Sequence, residues 1–523
     1  MPHPPGPSLP AAWPRPSQVP ARSLAEVAAH LGLDVPGTPG GSPDARVVTG
    51  VSLDSRSVLP GDLYAAPAGA RAHGADFAGA ASAAGAVGCV TDAAGAQRSL
   101  HAGLPTFVVA SPRAVLGGLA AWVYGDPAEA MTMLGITGTN GKTTTAYLLE
   151  AGLRAAGRRT GVVGTIETRI GDEVLPSERT TPEAPDLQAL LAVMRERGTD
   201  AVAMEVSSHA LAMGRVDGTT YDVALFTNLS EDHLDFHADL EDYFQVKASL
   251  FTPERSRRAV VDVDDEHGRR LVGLATVPVT TVSTFGVDAD WRVEKVDVGP
   301  LGSTFVLAGP DGARLDCGTR LAGDFNVANA ALAVVALGEA GVDLATAVAG
   351  VAACPGVPGR MERVAAGDDG PLALVDFAHT PDALTQLLAA ARALVPDGGR
   401  LLVVLGCGGD RDTQKRPVMG GIAVRDADVV VLTSDNPRTE DPAAIVEDIR
   451  RGADAAQRDG ATGRLEVEVD RRAAIRLAAA AAGPGDVLVV AGKGHEQGQE
   501  IAGVRQPFDD RVELAAALRE VRA

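Results

Sequence analysis

Short apolar runs alternate with amphipathic stretches along most of the chain, and the alternation is clearest in its last third. The apolar runs that have the length of buried strands there are 372–377, 401–405, 429–433, 465–469 and 487–490. Helical periodicity is found between them, for example at 382–394, 443–453 and 471–482. Strand and helix in turn predict a parallel sheet with helices on both faces, and such sheets bind ligands beyond the carboxyl ends of their strands. Polar, Gly-rich segments occur at those ends, at 378–379, 406–410, 434–438 and 492–496.

The same alternation extends towards the N-terminus. An apolar run at 131–136 leads through a Gly/Thr-rich turn into a predicted helix, and further apolar runs follow at 201–206 and 223–227. A Pro/Gly cluster at 354–359 indicates a domain boundary. We therefore predict an α/β protein of three domains, at 24–128, 129–353 and 354–523, preceded by a disordered, Pro- and Ser-rich tail at 1–23.

The composition is that of an acidic globular protein. Its 523 residues suffice for about three domains of ordinary size, and 46% hydrophobic against 22% charged residues excludes a disordered chain. A net charge of −21 argues against nucleic acid or an anionic membrane surface as partner, so anionic ligands require local pockets. The four cysteines form no CxxC pair and no apolar run is long enough to span a bilayer. We expect a cytoplasmic protein with reduced thiols and no membrane insertion.

Lysine is scarce among the basic residues. Of the 47, only five are lysines, and they are Lys142, Lys247, Lys295, Lys415 and Lys493. Arginine is effectively never deprotonated, so it cannot serve as a modifiable amine. Each remaining lysine is therefore a candidate for chemistry that a guanidinium cannot perform.

A phosphate-binding loop is predicted where the run at 131–136 meets the next helix. Its residues are Gly138, Thr139, Asn140, Gly141, Lys142, Thr143 and Thr144. Backbone N–H groups at a helix N-terminus bind phosphate, Lys142 can reach the β/γ oxygens of ATP, and Thr143 can ligate Mg²⁺. Ile136 stands where the common pattern has Gly, so this is a variant loop. Glu205 ends a neighbouring apolar run, where an acid has no packing role, and it is a second candidate Mg²⁺ ligand.

Further motifs make the chain resemble the Mur ligases, ATP-dependent enzymes that add amino acids to the UDP-linked peptidoglycan precursor. The motifs lie at 137–144, 205–209, 228–233, 243–247, 323–329, 359–360 and 376–379, and read TGTNGKTT, EVSSH, NLSEDH, YFQVK, GDFNVAN, GR and DFAH. Their order and spacing cover almost all of the chain after the tail. The resemblance implies an N-terminal domain for the UDP group, a central ATPase domain with a parallel sheet and a C-terminal Rossmann-like domain for the amino acid. We expect the protein to be a monomer.

The resemblance also implies roles for individual residues. Lys247 would carry a carbamate formed with CO₂ (N6-carboxylysine), which would bind Mg²⁺ beside His233, and His209 would assist proton transfer or form a hydrogen bond to another residue of the site. The implied ATP contacts are Asn326, Asn329, Arg360, Asp376 and His379. The implied contacts to the UDP substrate are Ser55, Thr180, Thr181, Ser207 and Arg215. Met213 departs from the family pattern, because a polar substrate contact is expected at its position.

The loop Asp435, Asn436, Pro437 and Arg438 resembles the signature of diaminopimelate-adding members. meso-Diaminopimelate differs from lysine by a carboxylate at its far end, which Arg438 can bind with two parallel hydrogen bonds while Asp435 accepts from the adjacent ammonium. Arg438 would instead repel the lone ammonium of lysine. Arg411, Gly492 and Glu496 are expected to complete the amino-acid site.

The expected reaction joins diaminopimelate to the D-Glu side-chain carboxylate of UDP-N-acetylmuramoyl-L-alanyl-D-glutamate through an acyl phosphate. Three alternatives remain open on the sequence: a lysine-adding member, a folylpolyglutamate synthase that shares the central domain, and a nucleotide-binding switch that forms no bond. An NAD-dependent oxidoreductase is disfavoured, because Arg411 occupies the place of the third glycine in the dinucleotide fingerprint.

Overall fold

The computed structural model describes residues 14–37, 46–175, 179–365 and 370–521. The N-terminal part contains a small parallel sheet. Strands β3 to β6 pair side by side in chain order, and helix α4 packs against them through Leu116, Leu119 and Val123. In chain order the elements are β1 (Arg22–Ser23), α1 (Leu24–Leu31), β2 (Val47–Val48), β3 (Gly50–Ser52), β4 (Asp62–Ala66), α2 (Ala78–Ala83), β5 (Gly88–Thr91), α3 (Ala96–His101), β6 (Thr106–Val108) and α4 (Pro112–Val123).

The predicted disordered tail is wrong for residues 14–23, whereas residues 1–13 lie outside the described part. Arg15 inserts beneath strand β3, where its guanidinium forms an ion pair with Asp62 at 3.1 Å and donates to the Tyr124 hydroxyl and to the carbonyl of Val51. The backbone N–H of Ser17 donates to the Glu196 carboxylate at 3.0 Å. Residues 14–20 therefore connect the N-terminal sheet to the next domain. The ion pair and the hydrogen bonds hold this segment in place, although its Pro-rich composition suggested disorder.

We expect Arg15→Met to destabilise the N-terminal sheet. Removing one partner leaves the Asp62 carboxylate buried without its counter-charge, which costs about 2–3 kcal/mol for a pair that is partly exposed on one side. Amide hydrogen exchange in β3 and β4 measures the loss. The double variant Arg15→Met/Asp62→Asn removes both charges and recovers at least part of the protection. Equal protection in wild type and Arg15→Met contradicts the role.

The central part is built on one large sheet in the order β10-β9-β8-β11-β7-β12-β13-β14-β15-β16-β17. Its elements are β7 (Thr132–Thr137), α5 (Lys142–Ala155), β8 (Thr160–Val163), β9 (Thr168–Ile170), β10 (Glu173–Leu175), α6 (Ala184–Glu196), β11 (Ala201–Glu205), α7 (Ser208–Ala212), β12 (Val223–Phe226), α8 (Leu240–Ala248), β13 (Ala259–Asp262), α9 (Glu266–Leu274), β14 (Val279–Ser283), β15 (Trp291–Gly299), β16 (Gly302–Ala308), β17 (Arg314–Thr319), α10 (Asp324–Glu339) and α11 (Leu344–Ala353).

The strands from β8 to β15 in this order run parallel, as predicted, but both edges of the sheet are antiparallel. The edge strands are joined by tight turns rather than by helices, and Gly171 and Gly302 adopt positive φ values of 61° and 134° in them. These hairpins lie outside the strand–helix alternation on which the prediction rested. The Ala-rich helix α10 packs against α5 and α11 and is buried along most of its length.

The C-terminal part has the doubly wound arrangement that the sequence predicts. Strand order is β18-β19-β23-β20-β21-β22, parallel except for β18 at the edge. Its elements are β18 (Glu362–Val364), β19 (Leu372–Asp376), α12 (Pro381–Ala393), β20 (Leu401–Leu405), α13 (Lys415–Asp426), β21 (Val429–Leu432), α14 (Pro442–Arg458), β22 (Arg464–Val467), α15 (Arg471–Ala481), β23 (Val487–Ala491), β24 (Gly498–Ile501), β25 (Val504–Pro507) and α16 (Asp510–Glu520). Helices α12 to α14 cover one face of the sheet, and α15 and α16 cover the other.

Short 3₁₀ turns occur at Gly74–Phe77, Pro127–Ala130 and Pro310–Gly312. All four cysteines are buried free thiols. Among the described residues, no helix combines the length and the apolar character needed to cross a membrane.

Candidate active site

The phosphate loop joins strand β7 to helix α5, which begins at Lys142. Two of its glycines cannot be replaced without strain. Gly138 has φ +148°, and a Cβ there would lie 1.9 Å from Oγ1 of Thr227. Gly141 has φ +87°, and a Cβ there would lie 2.4 Å from Oδ1 of Asn329. The backbone therefore approaches its neighbours as closely as a phosphate-binding turn requires.

Two lysines converge on this loop. Lys142 Nζ donates to the carbonyl oxygens of Gly138 at 2.8 Å and Thr139 at 2.9 Å. Lys247 Nζ, from helix α8, donates to the same Gly138 carbonyl at 2.8 Å. The interpretation of Lys247 as a surface cation is excluded, since its side chain is buried with only 1% exposed.

The surroundings of Lys247 favour its neutral form. Burial, reinforced by the positive charge of Lys142, holds the pKa of Lys247 well below the usual value of a lysine. Its ammonium nitrogen lies over the Tyr243 ring, 4.5 Å from the ring centre. An amine with a lowered pKa is nucleophilic near neutral pH, which is the condition for reaction with CO₂.

Glu205 lies at the carboxyl end of strand β11 beside the loop. Its Oε2 accepts hydrogen bonds from the hydroxyls of Thr143 and Thr165, both at 3.0 Å, and its Oε1 accepts from the Thr165 backbone N–H at 2.8 Å. A hydroxyl and a carboxylate in contact are oxygen donors of the kind that Mg²⁺ prefers. Among the described residues, no group of three or more His, Cys, Asp or Glu side chains is arranged so that it could hold a metal ion. Unmodified Lys247 is not a cation ligand, whereas a carbamate on it would add two oxygens next to His233.

His233 and His209 pack together at the mouth of the loop, with ring centres 4.9 Å apart. Burial lowers the pKa of both imidazoles, so both are neutral at pH 7. His209 stacks on Phe236 with 4.1 Å between ring centres. His237 has a structural role, because it is buried and bridges Ser208 at 2.9 Å and Asp242 at 3.2 Å.

Residues of the C-terminal part contact the phosphate loop directly. The guanidinium of Arg360 lies 3.4 Å from the Thr143 hydroxyl and 4.3 Å above the ring centre of Phe377. Asn140 donates to Asp382 at 2.9 Å. These contacts bring the sequence-predicted ATP residues of two domains to one place.

The remaining predicted ATP residues are also near the loop. Asn329 accepts from the Thr145 hydroxyl at 3.3 Å and donates to Asn326 at 3.3 Å. Asp376 accepts backbone N–H groups from Met361 at 2.7 Å and Ala378 at 2.8 Å. Its contact with ribose stays a prediction. The ring of His379 stands 4.6 Å from that of Phe377, centre to centre.

The residues predicted to contact the UDP substrate form a cluster next to Glu205. Thr181 donates to the Glu205 carbonyl at 2.9 Å and lies 3.4 Å from the Ser207 hydroxyl. Thr180 and Thr165 exchange a hydrogen bond at 2.9 Å. Arg215 forms an ion pair with Glu183 at 2.9 Å and lies 3.3 Å from the Met213 sulfur, so Met213 contacts a residue that is predicted to bind the substrate. Ser55 lies in the turn after strand β3.

A cleft of about 1030 Å³ lies between the central and C-terminal sheets. His209 and His233 line it from the central side, and the predicted amino-acid residues other than Pro437 line it from the other side, namely Arg411, Asp435, Asn436, Arg438, Gly492 and Glu496. Arg411 is exposed, whereas Asp435 is buried. Lys415 begins helix α13 and also lines the cleft.

For several residues at the site the sequence predicted no individual role. Thr165 follows a short apolar strand, and that position was a usable signal. Asn228 accepts the Asn140 backbone N–H at 2.9 Å. The fully buried ion pair between Arg471 and Asp510, at 2.7 Å, supports the cleft because Arg471 also donates to the carbonyls of Ser434 and Ala491. Its partners are far apart in sequence, so no local pattern predicts it.

Comparisons with known proteins agree with this geometry. Three family models match the chain: Mur ligase family, catalytic domain at residues 47–124, Mur ligase middle domain at 136–337, and Mur ligase, glutamate ligase domain at 359–494. A UDP-N-acetylmuramoyl-L-alanyl-D-glutamate–2,6-diaminopimelate ligase from Streptomyces coelicolor is 57% identical over 510 residues, covering 97% of this chain and 99% of the relative.

Two further proteins are similar over their whole length. A UDP-N-acetylmuramyl-tripeptide synthetase from Leifsonia xyli is 48% identical over 512 residues, covering 97% of this chain and 98% of the relative. A solved structure of a UDP-N-acetylmuramoyl-L-alanyl-D-glutamate–2,6-diaminopimelate ligase has a TM-score of 0.67 at 35% identity, covering 96% of this chain and 100% of the other. The chain belongs to the Mur ligase family of ATP-dependent ligases.

Proposed function

We propose that the protein joins meso-diaminopimelate to the D-Glu side-chain carboxylate of UDP-N-acetylmuramoyl-L-alanyl-D-glutamate, forming ADP and phosphate. The observation that carries the proposal is the shared cleft, in which Asp435, Arg438 and Glu496 face the histidines beside the phosphate loop. The names of the similar enzymes from other bacteria support the same substrates. We further propose that the protein acts as a monomer in the cytoplasm.

The reaction requires two displacements. An oxygen of the D-Glu carboxylate attacks the γ-phosphorus of ATP and ADP leaves, which gives an acyl phosphate. The diaminopimelate amine then attacks the acyl carbon and phosphate leaves. Lys142, Arg360 and the loop N–H groups offset the charge that develops on the phosphoryl oxygens. His209, neutral at pH 7, is placed to accept the proton that the amine loses.

The metal and the modified lysine belong to the same proposal. Thr143, Glu205, His233 and carbamylated Lys247 would hold Mg²⁺. When bound, the ion supplies positive charge to the transferring phosphoryl group. The neutral amine of Lys247 would form the carbamate by attacking the carbon of CO₂ and releasing one proton to solvent, which converts a buried neutral amine into an anion.

A product assay tests the function. With ATP, Mg²⁺ and the UDP-dipeptide, we expect ADP-coupled formation of a UDP-tripeptide with meso-diaminopimelate and little with L-lysine. Mass spectrometry of the product identifies the added amino acid. Preferential addition of L-lysine would replace the proposal with a lysine-adding ligase. Absence of product from either amino acid, with ATP binding intact, would overturn it in favour of a nucleotide switch.

A further inference from the structure

A third lysine, Lys493, lies behind the cleft and has no part in the reaction described above. Its side chain is 0% exposed. Its Nζ donates to Oδ1 of Asn436 at 3.0 Å and to Oε2 of Glu496 at 2.8 Å. It therefore connects the two segments that carry the amino-acid residues, 434–438 and 492–496, across 57 positions of sequence.

These contacts leave Asn436 a single orientation. Its Oδ1 accepts from Lys493 and from the Glu500 backbone N–H at 3.0 Å, and both of these groups are donors only. Its Nδ2 donates to the Glu496 carboxylate at 2.7 Å, and a carboxylate only accepts. If the Asn436 amide were rotated by 180°, its NH₂ group would face the donors of Lys493 and the Glu500 backbone, and its oxygen would face the Glu496 carboxylate. Asn436 and Glu496 are therefore held in one arrangement at the wall of the cleft.

The hairpin β24–β25 completes this support. Gln499 Nε2 donates to the Asp435 carbonyl at 2.7 Å, and the Arg438 backbone N–H donates to the Glu500 carbonyl at 3.0 Å. Arg438 has a positive φ of 53°, so its direction depends on a backbone that is fixed by these contacts. The loop that faces the ligand is rigid because Lys493 and the hairpin hold it from behind.

The formal charges of the two segments balance. Arg438 and Lys493 are positive, and Asp435 and Glu496 are negative. His495 is neutral, because burial lowers its pKa to about 3. The adjacent Arg471 is paired with Asp510, so it adds no net charge. This wall of the cleft has no net charge but presents both positive and negative side chains. It therefore suits a ligand end that carries a carboxylate and an ammonium together, and it does not favour a lone ammonium.

We propose that Lys493 is a positioning residue that orients Asn436 and Glu496 and keeps this wall of the cleft neutral, and that it thereby selects the zwitterionic end of diaminopimelate over the ammonium end of lysine. The inference rests on the proposed function. Lysine fits the position because a compact ammonium can serve two acceptors in a tight space, whereas the planar guanidinium fork is larger and has a fixed geometry.

The test compares Lys493→Met, Lys493→Arg and the matched control Lys295→Met, a surface lysine on strand β15. For each variant, KM is measured for ATP, the UDP-dipeptide and meso-diaminopimelate, together with the ratio of kcat/KM for meso-diaminopimelate to that for L-lysine. Loss of the buried donor in Lys493→Met is expected to raise KM for diaminopimelate about tenfold and to lower the ratio about tenfold, with KM for ATP unchanged.

Lys493→Arg separates charge from geometry and provides a second test if Lys493→Met folds poorly. It keeps the charge balance, so the ratio stays near that of wild type while KM for diaminopimelate rises. A wild-type ratio in Lys493→Met, an equal loss for all three substrates, or a ratio as low in Lys493→Arg as in Lys493→Met overturns the inference. Failure of the proposed function is distinguishable, because wild type itself would then not add diaminopimelate.

Discussion

Replacing Lys247 by Ala or by Arg abolishes turnover, with a loss of about 10³-fold or more in kcat. The physical reason is the charge at this position, which is negative for a carbamate, absent with Ala and positive with Arg. The proposed carbamate on Lys247 would be an anion beside Thr143, Glu205 and His233, whereas Ala provides no ligand and Arg places a permanent cation next to Lys142. Burial holds the pKa of Lys247 well below the usual value, which is the condition for the proposed reaction with CO₂. Steady-state kinetics at saturating substrates measure the effect.

The Lys247→Arg variant is the informative one, since it retains the length and bulk of the side chain but cannot form a carbamate. Lys295→Ala is the matched control and keeps wild-type activity. A ¹³C carbamate signal after equilibration with labelled bicarbonate is expected in wild type and absent from both Lys247 variants. Short carboxylates or bicarbonate partly restore Lys247→Ala where they fit the space left by the side chain. Near-normal activity of Lys247→Arg would rule out the carbamate.

The sequence predicts the C-terminal sheet more closely than any other part of the fold. A strand that is buried on both faces is a continuous run of Val and Leu, so the ends of the run indicate the ends of the strand. Strand β20 is observed at Leu401–Leu405 as predicted. Helix α15 at Arg471–Ala481 ends one residue before its predicted end. The antiparallel edges of the central sheet were missed because hairpins joined by glycine turns do not alternate with helices.

In the candidate site, the features that depend on the local sequence were predictable, whereas those that depend on contacts between distant residues were not. The phosphate loop and Glu205 are recognisable because each follows an apolar run, and this position alone indicates the carboxyl end of a strand. The scarcity of lysine indicated Lys247 and Lys493 as unusual, but their burial depends on helices and strands distant in sequence. The role of Arg15 was not predicted, because the composition around it is Pro-rich and its ion pair with the distant residue Asp62 produces no pattern in the local sequence.

Replacing Arg438 by Ala is expected to raise KM for meso-diaminopimelate by about 10²-fold, because truncating one partner of a buried charge pair costs about 2–5 kcal/mol. The guanidinium lies at the cleft and also donates to the carbonyl of Gly409. Only one of the competing amino acids carries a distal carboxylate, so the loss falls on diaminopimelate and leaves KM for L-lysine equal or lower. Competition between the two amino acids in one reaction measures the change.

Arg438→Lys tests whether geometry or charge makes the contact. Lysine retains the positive charge but lacks the fork that binds a carboxylate with two parallel hydrogen bonds, so an intermediate KM is expected. KM for ATP serves as the internal control, since the phosphate loop does not contact Arg438. A wild-type preference for diaminopimelate in Arg438→Ala would exclude this residue as the carboxylate contact and would leave Arg411, exposed at the same cleft, as the remaining arginine among the predicted amino-acid residues.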